Sequence, residues 1–383
     1  MNSAAATSAA TNSAATNSAA TNAEPVLASL RTRLLVPPLP RPWGPDVPEV
    51  HFVVVDVEDS GGHRGTGFSW TPTVGAGAVV SLLSDDIAAA ALGGPTHPEA
   101  VWDNLWVKLH EAGGGGLTTI ALAGLDLALW DLLGKRLGVP VAELLGRRRT
   151  SMPAYGSGVN LHYSLDELLD QVRRWIDAGY GAVKIKVGKP ELAEDVERVA
   201  AVRELLGPRR RLMIDANQRW DLPTARRAAA ALERFGLHWL EEPLRAEDLE
   251  GHAQLRRSIG VPIAVGENLH TLQRFREYIA AGACDIIQPN IVRVGGITPF
   301  RRIAGLARTG SVALAPHLLT DLSAQLIATL PGEVEVEEVD DTAFETLGVL
   351  ASPSPVRRKG ADVTLEPAPG LGLDFVERLA ARP

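Results

Sequence analysis

The amino-acid sequence predicts an α/β protein, namely a parallel (β/α) barrel of TIM type that follows an N-terminal α+β region. Two observations predict this fold. After Met152, short apolar runs recur at intervals of 23 to 30 residues, with helical periodicity between them. Before Met152, strand-like segments come first and helices follow, which is typical of α+β order. A barrel of this type needs about 250 residues, and the remaining chain has that size.

The composition is that of a globular protein of 383 residues, and it excludes several classes of function. The formal net charge of −8 argues against nucleic acid as a partner, because phosphate binding needs a clustered basic face. Cys284 is the lone cysteine, so we expect no internal disulfide and a reducing, cytoplasmic location. No uninterrupted apolar run approaches the roughly 20 residues that span a bilayer, so no membrane segment is expected.

The first residues form a low-complexity segment. Residues 1–22 are almost entirely Ala, Asn, Ser and Thr, and SAATN repeats three times from Ser8 to Asn22. The segment has neither a basic start nor a leucine-rich stretch, so it is not a secretory signal. Because it cannot bury a core, we predict a disordered tail over residues 1–23.

Residues 24–150 are predicted to form the α+β region. Three segments with strand character precede its helices, and they are Val26–Val36, Val50–Asp56 and Gly65–Trp70. The clearest helix runs from Leu117 to Leu137 and is ended by Gly138-Val139-Pro140. Pro37–Pro45 is too rich in proline for a helix or a central strand. It is either a rigid surface connection or a lid whose apolar tip is Trp43.

Residues 151–361 are predicted to form the barrel, with seven or eight β/α units. Its apolar runs are Pro153–Gly158, Ala182–Val187, Arg211–Asp215, Leu237–Glu241, Pro262–Glu267, Asp285–Gln288, Val312–His317 and, as a less distinct eighth, Val334–Glu337. A doubly wound sheet is the alternative. It predicts a glycine-rich phosphate turn after an early strand, and Val187-Gly188-Lys189-Pro190 is a poor candidate for one. Residues 362–383 are expected to pack back on the first domain.

Several barrel runs end in a side chain that can bind a metal ion or move a proton. Three end in carboxylates, Asp215, Glu241 and Glu267, and a fourth ends in His317. The run Lys184-Ile185-Lys186 places two lysines on one side of a strand, because side chains alternate along it. Active sites of this fold lie at the carboxyl ends of the strands, so these side chains are expected to meet there.

Three adjacent carboxylates repel one another unless a cation lies among them. An all-oxygen site suits Mg²⁺ first and Mn²⁺ second. Lys184 and the metal ion are expected to stabilise developing negative charge and to depress the pKa of Lys186. A lysine with a depressed pKa can serve as a general base near neutral pH.

Each of these residues also has a simpler interpretation. A strand-terminal Asp or Glu often only caps the next helix, and a lone histidine is as often a hydrogen-bonded core residue as a catalyst. Helix capping accounts for one such carboxylate more readily than for three at matched strand ends. The lysine pair has few structural uses, because buried lysines are rare without a partner.

The sequence resembles the enolase superfamily, and within it the mandelate racemase subgroup. Six short motifs occur in the order and at the spacing of that family. They are Lys184-Ile185-Lys186, Asp215-Ala216-Asn217-Gln218, Glu241-Glu242-Pro243, Gly266-Glu267-Asn268, Gly295-Gly296-Ile297-Thr298 and Pro316-His317-Leu318. The resemblance implies a barrel capped by the N-terminal α+β domain, which the C-terminal segment completes. It also implies a homo-oligomer that acts on a small-molecule carboxylate.

The resemblance implies roles for individual residues as well. Asp215, Glu241 and Glu267 would bind Mg²⁺, which holds the substrate carboxylate. Lys186 would remove the proton α to that carboxylate, with Lys184 stabilising the enolate and His317 acting as acid or base on the opposite face. Further residues match positions that line the site: Glu337, Asn217, Asn268, Ser157, Asn290 and Trp43. Glu337 belongs to an acidic run, so its neighbours are alternatives.

One position departs from the family pattern. The subgroup pairs its histidine with an aspartate in a sequence like Gln-Pro-Asp, and here the sequence reads Gln288-Pro289-Asn290. A neutral Asn290 can hold the imidazole of His317 by a hydrogen bond, but it cannot favour the imidazolium as an anion does. We therefore expect His317 to be a weak base that still delivers a proton to a departing hydroxide.

These features predict a Mg²⁺-dependent dehydratase of aldonates or aldarates that yields a 2-keto-3-deoxy acid. The nearest alternative is a racemase, epimerase or cycloisomerase that uses the same enolate. More distant alternatives are a Schiff-base aldolase on Lys186, which needs no metal, and a non-catalytic binding barrel. Substrate hydroxyl groups are expected to be recognised by lid and loop side chains. The candidates are Trp43, His51, Trp70, His162, Arg219, His270 and Arg293.

Overall fold

The structure is a computed structural model, and it describes residues 24–44 and 46–380. The predicted tail at residues 1–23 and Pro45 of the predicted lid lie outside this range.

The N-terminal domain begins with an antiparallel sheet of three strands in chain order. The strands are β1 (Leu27–Leu35), β2 (His51–Asp59) and β3 (Arg64–Thr71), and all three were predicted from the sequence. Gly62, with φ of 82°, allows the tight turn between β2 and β3. Between β1 and β2 the chain forms a long excursion that carries Trp43. It is held by backbone hydrogen bonds such as Leu39 N to Pro48 O at 2.9 Å.

Helices cover one face of this sheet. They are α1 (Ala76–Ser81), a π-helical stretch (Leu82–Ile87), α2 (Ala88–Ala91), α3 (Pro98–Lys108), a 3₁₀ turn (His110–Ala112), α4 (Leu117–Leu137) and α5 (Val141–Leu144). The predicted helix at Leu117–Leu137 is therefore confirmed. A Cβ on Gly65 would lie 2.2 Å from Ala128 O, and one on Gly67 would lie 2.3 Å from Ala128 N. Glycine at both positions lets α4 pack directly on β3.

Helix α4 is long and apolar enough to cross a membrane by length and composition alone. Of its most apolar 18-residue window, 89% is buried inside the protein. Helix α4 is therefore a core helix of the N-terminal domain, where it packs against β2 and β3.

The barrel contains eight parallel strands, one for each predicted apolar run. They are β4 (Ser151–Ser157), β5 (Ala182–Lys186), β6 (Arg211–Asp215), β7 (Leu237–Glu241), β8 (Ile263–Val265), β9 (Ile286–Ile287), β10 (Ala313–Leu314) and β11 (Val336–Val339). The ladder runs in chain order from β4 to β10, and β11 pairs with β4 on its other side. This order confirms the barrel and excludes a doubly wound sheet, in which the strand order reverses.

Seven helices connect the eight strands, so the barrel has (β/α)₇β order. They are α6 (Leu165–Asp177), α7 (Leu192–Leu206), α8 (Leu222–Leu232), which continues into a 3₁₀ turn (Glu233–Phe235), α9 (Leu249–Ser258), α10 (Leu272–Ala280), α11 (Ile297–Thr309) and α12 (Thr320–Ile327). Side chains fill the barrel below its active end: Tyr155, Ala182, Met213, Trp239, Ala264 and Ile286. The polar side chains at the carboxyl ends of the strands lie above this apolar layer.

After the barrel, the chain forms a hairpin and returns to the first domain. The hairpin consists of β12 (Val356–Lys359) and β13 (Asp362–Leu365), and β13 pairs antiparallel with the start of β4. Phe375 then packs with Phe52 and Phe68 of the N-terminal sheet, at centroid distances of 6.3 and 5.4 Å. The C-terminal segment thus completes the N-terminal domain, as expected.

The N-terminal domain also holds the turn that precedes α11. Trp102 Nε1 donates to Gly295 O at 2.9 Å, and Trp130 Nε1 donates to Thr298 Oγ1 at 3.1 Å. The buried Asp126 carboxylate accepts the Thr298 N–H at 3.0 Å. A Cβ on Gly296 would lie 2.3 Å from Asp126 Oδ2, which explains the glycine. Three side chains of the cap therefore fix the Gly-Gly-Ile-Thr turn of the barrel.

Candidate active site

The strand register brings the predicted site residues to one rim of the barrel. Lys186 pairs with Asp215, and Asp215 pairs with Glu241, across three adjacent strands. Glu267 stands two residues beyond β8, after Gly266. Gly266 has φ of 144°, and a Cβ there would lie 2.6 Å from Gln288 N. Only glycine fits this position, so the residue before Glu267 is dictated by the backbone of the next strand.

Asp215, Glu241 and Glu267 form a compact carboxylate cluster. One oxygen from each lies within 4.8 Å of the others, and all three side chains are buried. Buried carboxylates at this spacing need a cation among them, because desolvation and mutual repulsion oppose ionisation. Hard oxygen ligands suit magnesium. The donor set therefore fits the magnesium ion that the sequence predicts.

Lys184 is the structural centre of the site. Its ammonium group donates to both oxygens of Glu241 at 2.7 and 2.8 Å, and lies 2.7 Å from Glu337 Oε1. Complete burial opposes the charged form, but the Glu241 and Glu337 carboxylates outweigh it and hold the pKa of Lys184 well above its usual value. These contacts therefore favour the ammonium form of Lys184 over the neutral amine that a base needs.

Lys186 differs from the expectation at one point. Burial and Lys184 both lower its pKa, but contact with the Asp215 carboxylate outweighs them, so the pKa is raised. The expected lowering of the Lys186 pKa is therefore wrong when only the protein's own groups act on it. Asp215 belongs to the metal-binding cluster, and a cation bound there competes with Lys186 for that carboxylate. Asn160 fixes the backbone of this lysine by accepting the Lys186 N–H at 2.8 Å.

His317 reaches the same cavity from the far side of the ladder, since β10 stands five strands from β5. Its Nε2 lies 2.6 Å from Glu267 Oε2, and its Nδ1 lies 3.2 Å from Asn290 Nδ2. The Asn290 amide is oriented by its own oxygen, which accepts the N–H groups of Val292 and Arg293 at 3.1 Å each. The Nδ2 group of Asn290 is therefore turned towards the imidazole.

These contacts assign the hydrogens of His317, following the usual inference from hydrogen-bond partners. An amide N–H₂ can only donate, so Nδ1 accepts a hydrogen bond from Asn290. The remaining nitrogen, Nε2, then carries the hydrogen and donates it to Glu267. Both contacts agree on this tautomer. His317 consequently presents an N–H donor to the cavity and not a lone pair.

Glu337 is the member of its acidic run that faces the cavity. It accepts the Ser157 hydroxyl at 2.8 Å and the Leu318 N–H at 2.9 Å. Burial raises its pKa, but contact with the Lys184 ammonium group and the Leu318 N–H outweighs burial and lowers the pKa to about 2. Glu335 instead pairs with an arginine on β6, and Glu338 with one on β12. Strand alternation thus separates Glu337 from Glu338, and Glu335 lies before the first residue of β11.

The structure places the remaining predicted residues in two groups. Trp43, Ser157 and Asn217 line the cavity together with Lys186 and His317. Asn268 and Asn290 instead contact side chains of the site, Asn268 that of Glu267 and Asn290 that of His317. The Asn268 amide donates to Glu242 at 2.8 Å and to Glu267 at 3.1 Å.

Sequence reasoning missed two donors to the metal-binding cluster. Gln288 Nε2 donates to Glu241 Oε2 at 2.8 Å, and Trp239 Nε1 donates to the same oxygen at 3.1 Å. The position of Trp239 two residues before Glu241 is a signal for a shared strand face. Asn160, which holds Lys186, lies in a loop and has no local signal.

The cavity has two connected parts. The inner chamber, about 240 Å³, contains Lys186, Glu267, His317 and Glu337. The outer chamber, about 800 Å³, opens beside it and shares five lining residues: Trp43, Val47, Val159, Lys186 and Asn217. The excursion between β1 and β2 contributes Trp43 and Val47 to both chambers, as a lid would.

Two family models match the chain over most of its length. Residues 45–146 match the mandelate racemase/muconate lactonizing enzyme N-terminal domain, and residues 167–379 match the enolase C-terminal domain-like model. The chain belongs to the enolase superfamily. Its place in the superfamily is the mandelate racemase subgroup.

Relatives in the superfamily catalyse more than one reaction. The chain is 38% identical over 332 residues to the 3,6-anhydro-α-L-galactonate cycloisomerase of Streptomyces coelicolor, covering 86% of this chain and 91% of that protein. It is also 38% identical over 332 residues to the L-talarate/galactarate dehydratase of Salmonella typhimurium, covering 86% of this chain and 82% of that protein.

A solved structure adds the metal ion. The L-talarate dehydratase of Polaromonas sp. JS666, complexed with magnesium and L-glucarate, superposes with a TM-score of 0.82 at 37% identity. The match covers 92% of this chain and 96% of that one. Magnesium in an enolase superfamily relative agrees with the buried carboxylate cluster, so magnesium is the cofactor that this site fits.

Proposed function

We propose that this enolase superfamily member is a magnesium-dependent acid-sugar dehydratase. It removes the proton at carbon 2 of an aldonate or aldarate, expels the hydroxyl group at carbon 3, and releases a 2-keto-3-deoxy acid. Asp215, Glu241 and Glu267 hold the magnesium ion. The ion supplies electrostatic stabilisation to the substrate carboxylate as negative charge develops on it.

Lys186 is the base in this proposal. Its amine takes the proton from carbon 2, and the electron pair of that bond forms the enolate. Lys184 stays protonated because of its two carboxylate partners, so it stabilises the enolate charge without taking a proton. Ser157 and Glu337 hold this side of the inner chamber by their 2.8 Å hydrogen bond.

The contacts of His317 with Asn290 and Glu267 are the observation that favours dehydration. A racemase needs a second base, and a lone pair on Nε2 would supply it. Here Asn290 and Glu267 both place the hydrogen on Nε2. His317 therefore donates its Nε2–H in a hydrogen bond to the hydroxyl that leaves from carbon 3, and the departing hydroxide takes a proton from solvent to become water. Lys186 returns the proton that it gained to solvent, so the step balances.

A cycloisomerase is the second candidate, and the 38% identity to one such enzyme supports it. It would begin with the same proton abstraction, but its product would have the mass of its substrate. A dehydratase product is lighter by one water. Mass spectrometry of the product therefore separates the two reactions.

The experiment that tests the proposal screens four-, five- and six-carbon acid sugars with Mg²⁺ and detects the 2-keto acid. The substrate found is then incubated in D₂O with Lys186→Ala, and with Lys359→Ala as a control on the distant strand β12. We expect exchange at carbon 2 to disappear in the first variant and to persist in the control. Persistent exchange in Lys186→Ala would make His317 the base and overturn the assignment.

A further inference from the structure

The outer chamber contains cationic side chains that the proposed chemistry does not use. Lys189 and Arg219 line it, together with His162. Within residues 24–44 and 46–380, Arg219 has no ion pair or side-chain hydrogen bond to a protein group. Arg219 is exposed, so its guanidinium is available to pair with an anion that enters the chamber.

The backbone makes room for this arginine. Gly188 has φ of 102°, and a Cβ on it would lie 2.7 Å from Arg219 Cδ. Any larger residue at 188 would push the arginine stem away from the chamber wall. The Gly188 loop is itself held by Asp195, whose Oδ2 accepts the Gly188 N–H at 2.8 Å and the Lys189 N–H at 3.1 Å. Arg219 thus lies against a fixed wall.

The charges around the chamber favour an anion. The chamber lining contains three cations, Lys186, Lys189 and Arg219, and two carboxylates, Asp46 and Asp195. Asp195 Oδ2 accepts two backbone N–H groups while its Oδ1 has no partner, and Lys189 has a loose partner, Glu194, at 3.8 Å. Asp46 on the lid is the other acidic side chain in the lining. Burial lowers the pKa of His162, and Arg41 and Lys189 lower it further, as expected in a positive field. The chamber also receives the first turns of α7 and α8, whose N-terminal ends are positive.

We propose that the outer chamber binds the distal carboxylate of a diacid, so that the substrate is an aldarate and not an aldonate. This inference rests on the proposed function, which places the first carboxylate at the metal end of the inner chamber. Lys186 and Asn217 belong to both chambers, so a chain that reacts at Lys186 extends past them. Arg219 then pairs with the second carboxylate, with Lys189 beside it.

The test compares matched six-carbon acids that differ only at carbon 6, which is a carboxylate in the aldarate and a hydroxymethyl group in the aldonate. Galactarate with galactonate and glucarate with gluconate are two such pairs. Binding is measured by titration calorimetry with Mg²⁺ in a Lys186→Ala background, in which no turnover occurs. The diacid of the accepted pair should bind at least tenfold more tightly than its monoacid.

Arg219→Gln should reduce that preference about tenfold, which corresponds to about 1.4 kcal/mol. Arg226→Gln, on the exposed face of α8, is the matched control and should leave the preference intact. Lys189→Gln should reduce the preference by a smaller factor, because Glu194 already offsets part of its charge. Thermal unfolding of each variant verifies that the fold is retained.

Equal binding of the two members of the accepted pair would overturn this inference and leave the dehydratase proposal standing. A preference that survives in Arg219→Gln/Lys189→Gln would also overturn it. Tighter binding of a 6-phosphoaldonate than of the diacid would also overturn the inference, because the chamber would then prefer a phosphate to a carboxylate. Failure of every acid sugar to bind with Mg²⁺ would instead count against the proposed function itself.

Discussion

Asn290 Nδ2 lies 3.2 Å from His317 Nδ1, and its own oxygen is held by two backbone N–H groups. An amide in this orientation makes the imidazole a donor on the cavity side. A carboxylate at the same position would accept from Nδ1 and leave a lone pair on Nε2. One side-chain atom of residue 290 therefore decides whether Nε2 of His317 donates a hydrogen bond or offers a lone pair.

The first prediction concerns this pair. Asn290→Asp should give His317 basic character, so exchange at carbon 2 in D₂O should appear in a Lys186→Ala/Asn290→Asp double variant. Dehydration by the single variant should fall by about tenfold or more, because Nε2 no longer carries the hydrogen that it donates to the leaving hydroxyl. Asn290→Ala is the control, since it removes the hydrogen bond without supplying an acceptor. If the double variant shows no exchange, the tautomer argument is wrong.

Magnesium should stabilise the fold. The cluster of Asp215, Glu241 and Glu267 has a net negative charge that the bound ion neutralises, so Mg²⁺ binds the folded state in preference to the unfolded one. At a concentration 100 times its Kd, the free energy of unfolding should rise by about 2.7 kcal/mol. Thermal unfolding with EDTA and with Mg²⁺ measures this shift.

The same titration with Asp215→Asn identifies the site. The variant should lose most of the magnesium-dependent increase in Tm, whereas Asp170→Asn, whose carboxylate is exposed on α6, should retain it. An equal increase in both variants would place the magnesium ion elsewhere.

Arg41 connects the lid to the barrel. Its guanidinium lies 3.4 Å from the centroid of the Tyr163 ring and donates to Glu167 at 2.8 Å. Without these contacts the segment that carries Trp43 should close less often over the substrate. Arg41→Ala should raise KM about three- to tenfold with a smaller effect on kcat. Arg64→Ala, which breaks an exposed pair on β3, is the control; an equal effect of both variants would exclude a specific latch.

Asp126 makes the junction between the two domains sensitive to pH. Burial raises its pKa to about 7, although hydrogen bonds from Thr298 lower it. Because the folded pKa exceeds the unfolded value of about 3.9, the contribution of Asp126 to stability is complete below about pH 4 and is lost as pH rises through 7. Asp126→Asn keeps an acceptor for Thr298 and cannot ionise.

We therefore expect Asp126→Asn to be more stable than the parent protein at pH 8, by about 1–3 kcal/mol, and the difference to shrink towards pH 5. Urea unfolding at the two pH values measures this. Asp103→Asn, at the exposed Arg302 pair, should show no such pH dependence. A variant that is destabilised equally at both pH values would mean that the Asp126 carboxylate is needed in its charged form.

The sequence was sufficient for features that depend on local periodicity. Seven apolar runs and a less distinct eighth predicted seven or eight strands, because a buried parallel strand must be apolar on both faces. Polar residues at the ends of those runs were expected to lie close together, because parallel strands present their carboxyl ends at one rim. The sequence alone therefore places Lys184, Lys186, Asp215, Glu241 and Glu267 at one rim, and the strand register agrees for four of them, Lys184, Lys186, Asp215 and Glu241.

Only the tertiary structure decided how those side chains are oriented and charged. Asn268 and Asn290 matched the family motifs as lining residues. In the fold, Asn268 donates to Glu242 and Asn290 contacts His317, and these partners belong to other loops. The pKa of Lys186 depends on the distance to Asp215 of the next strand, which no pattern along the chain encodes. Strand alternation is a local property, whereas hydrogen-bond direction, desolvation and charge are set by neighbours that are distant in sequence. The sequence by itself therefore determined which residues form the site, and the fold decided which of them donates, accepts or stays charged.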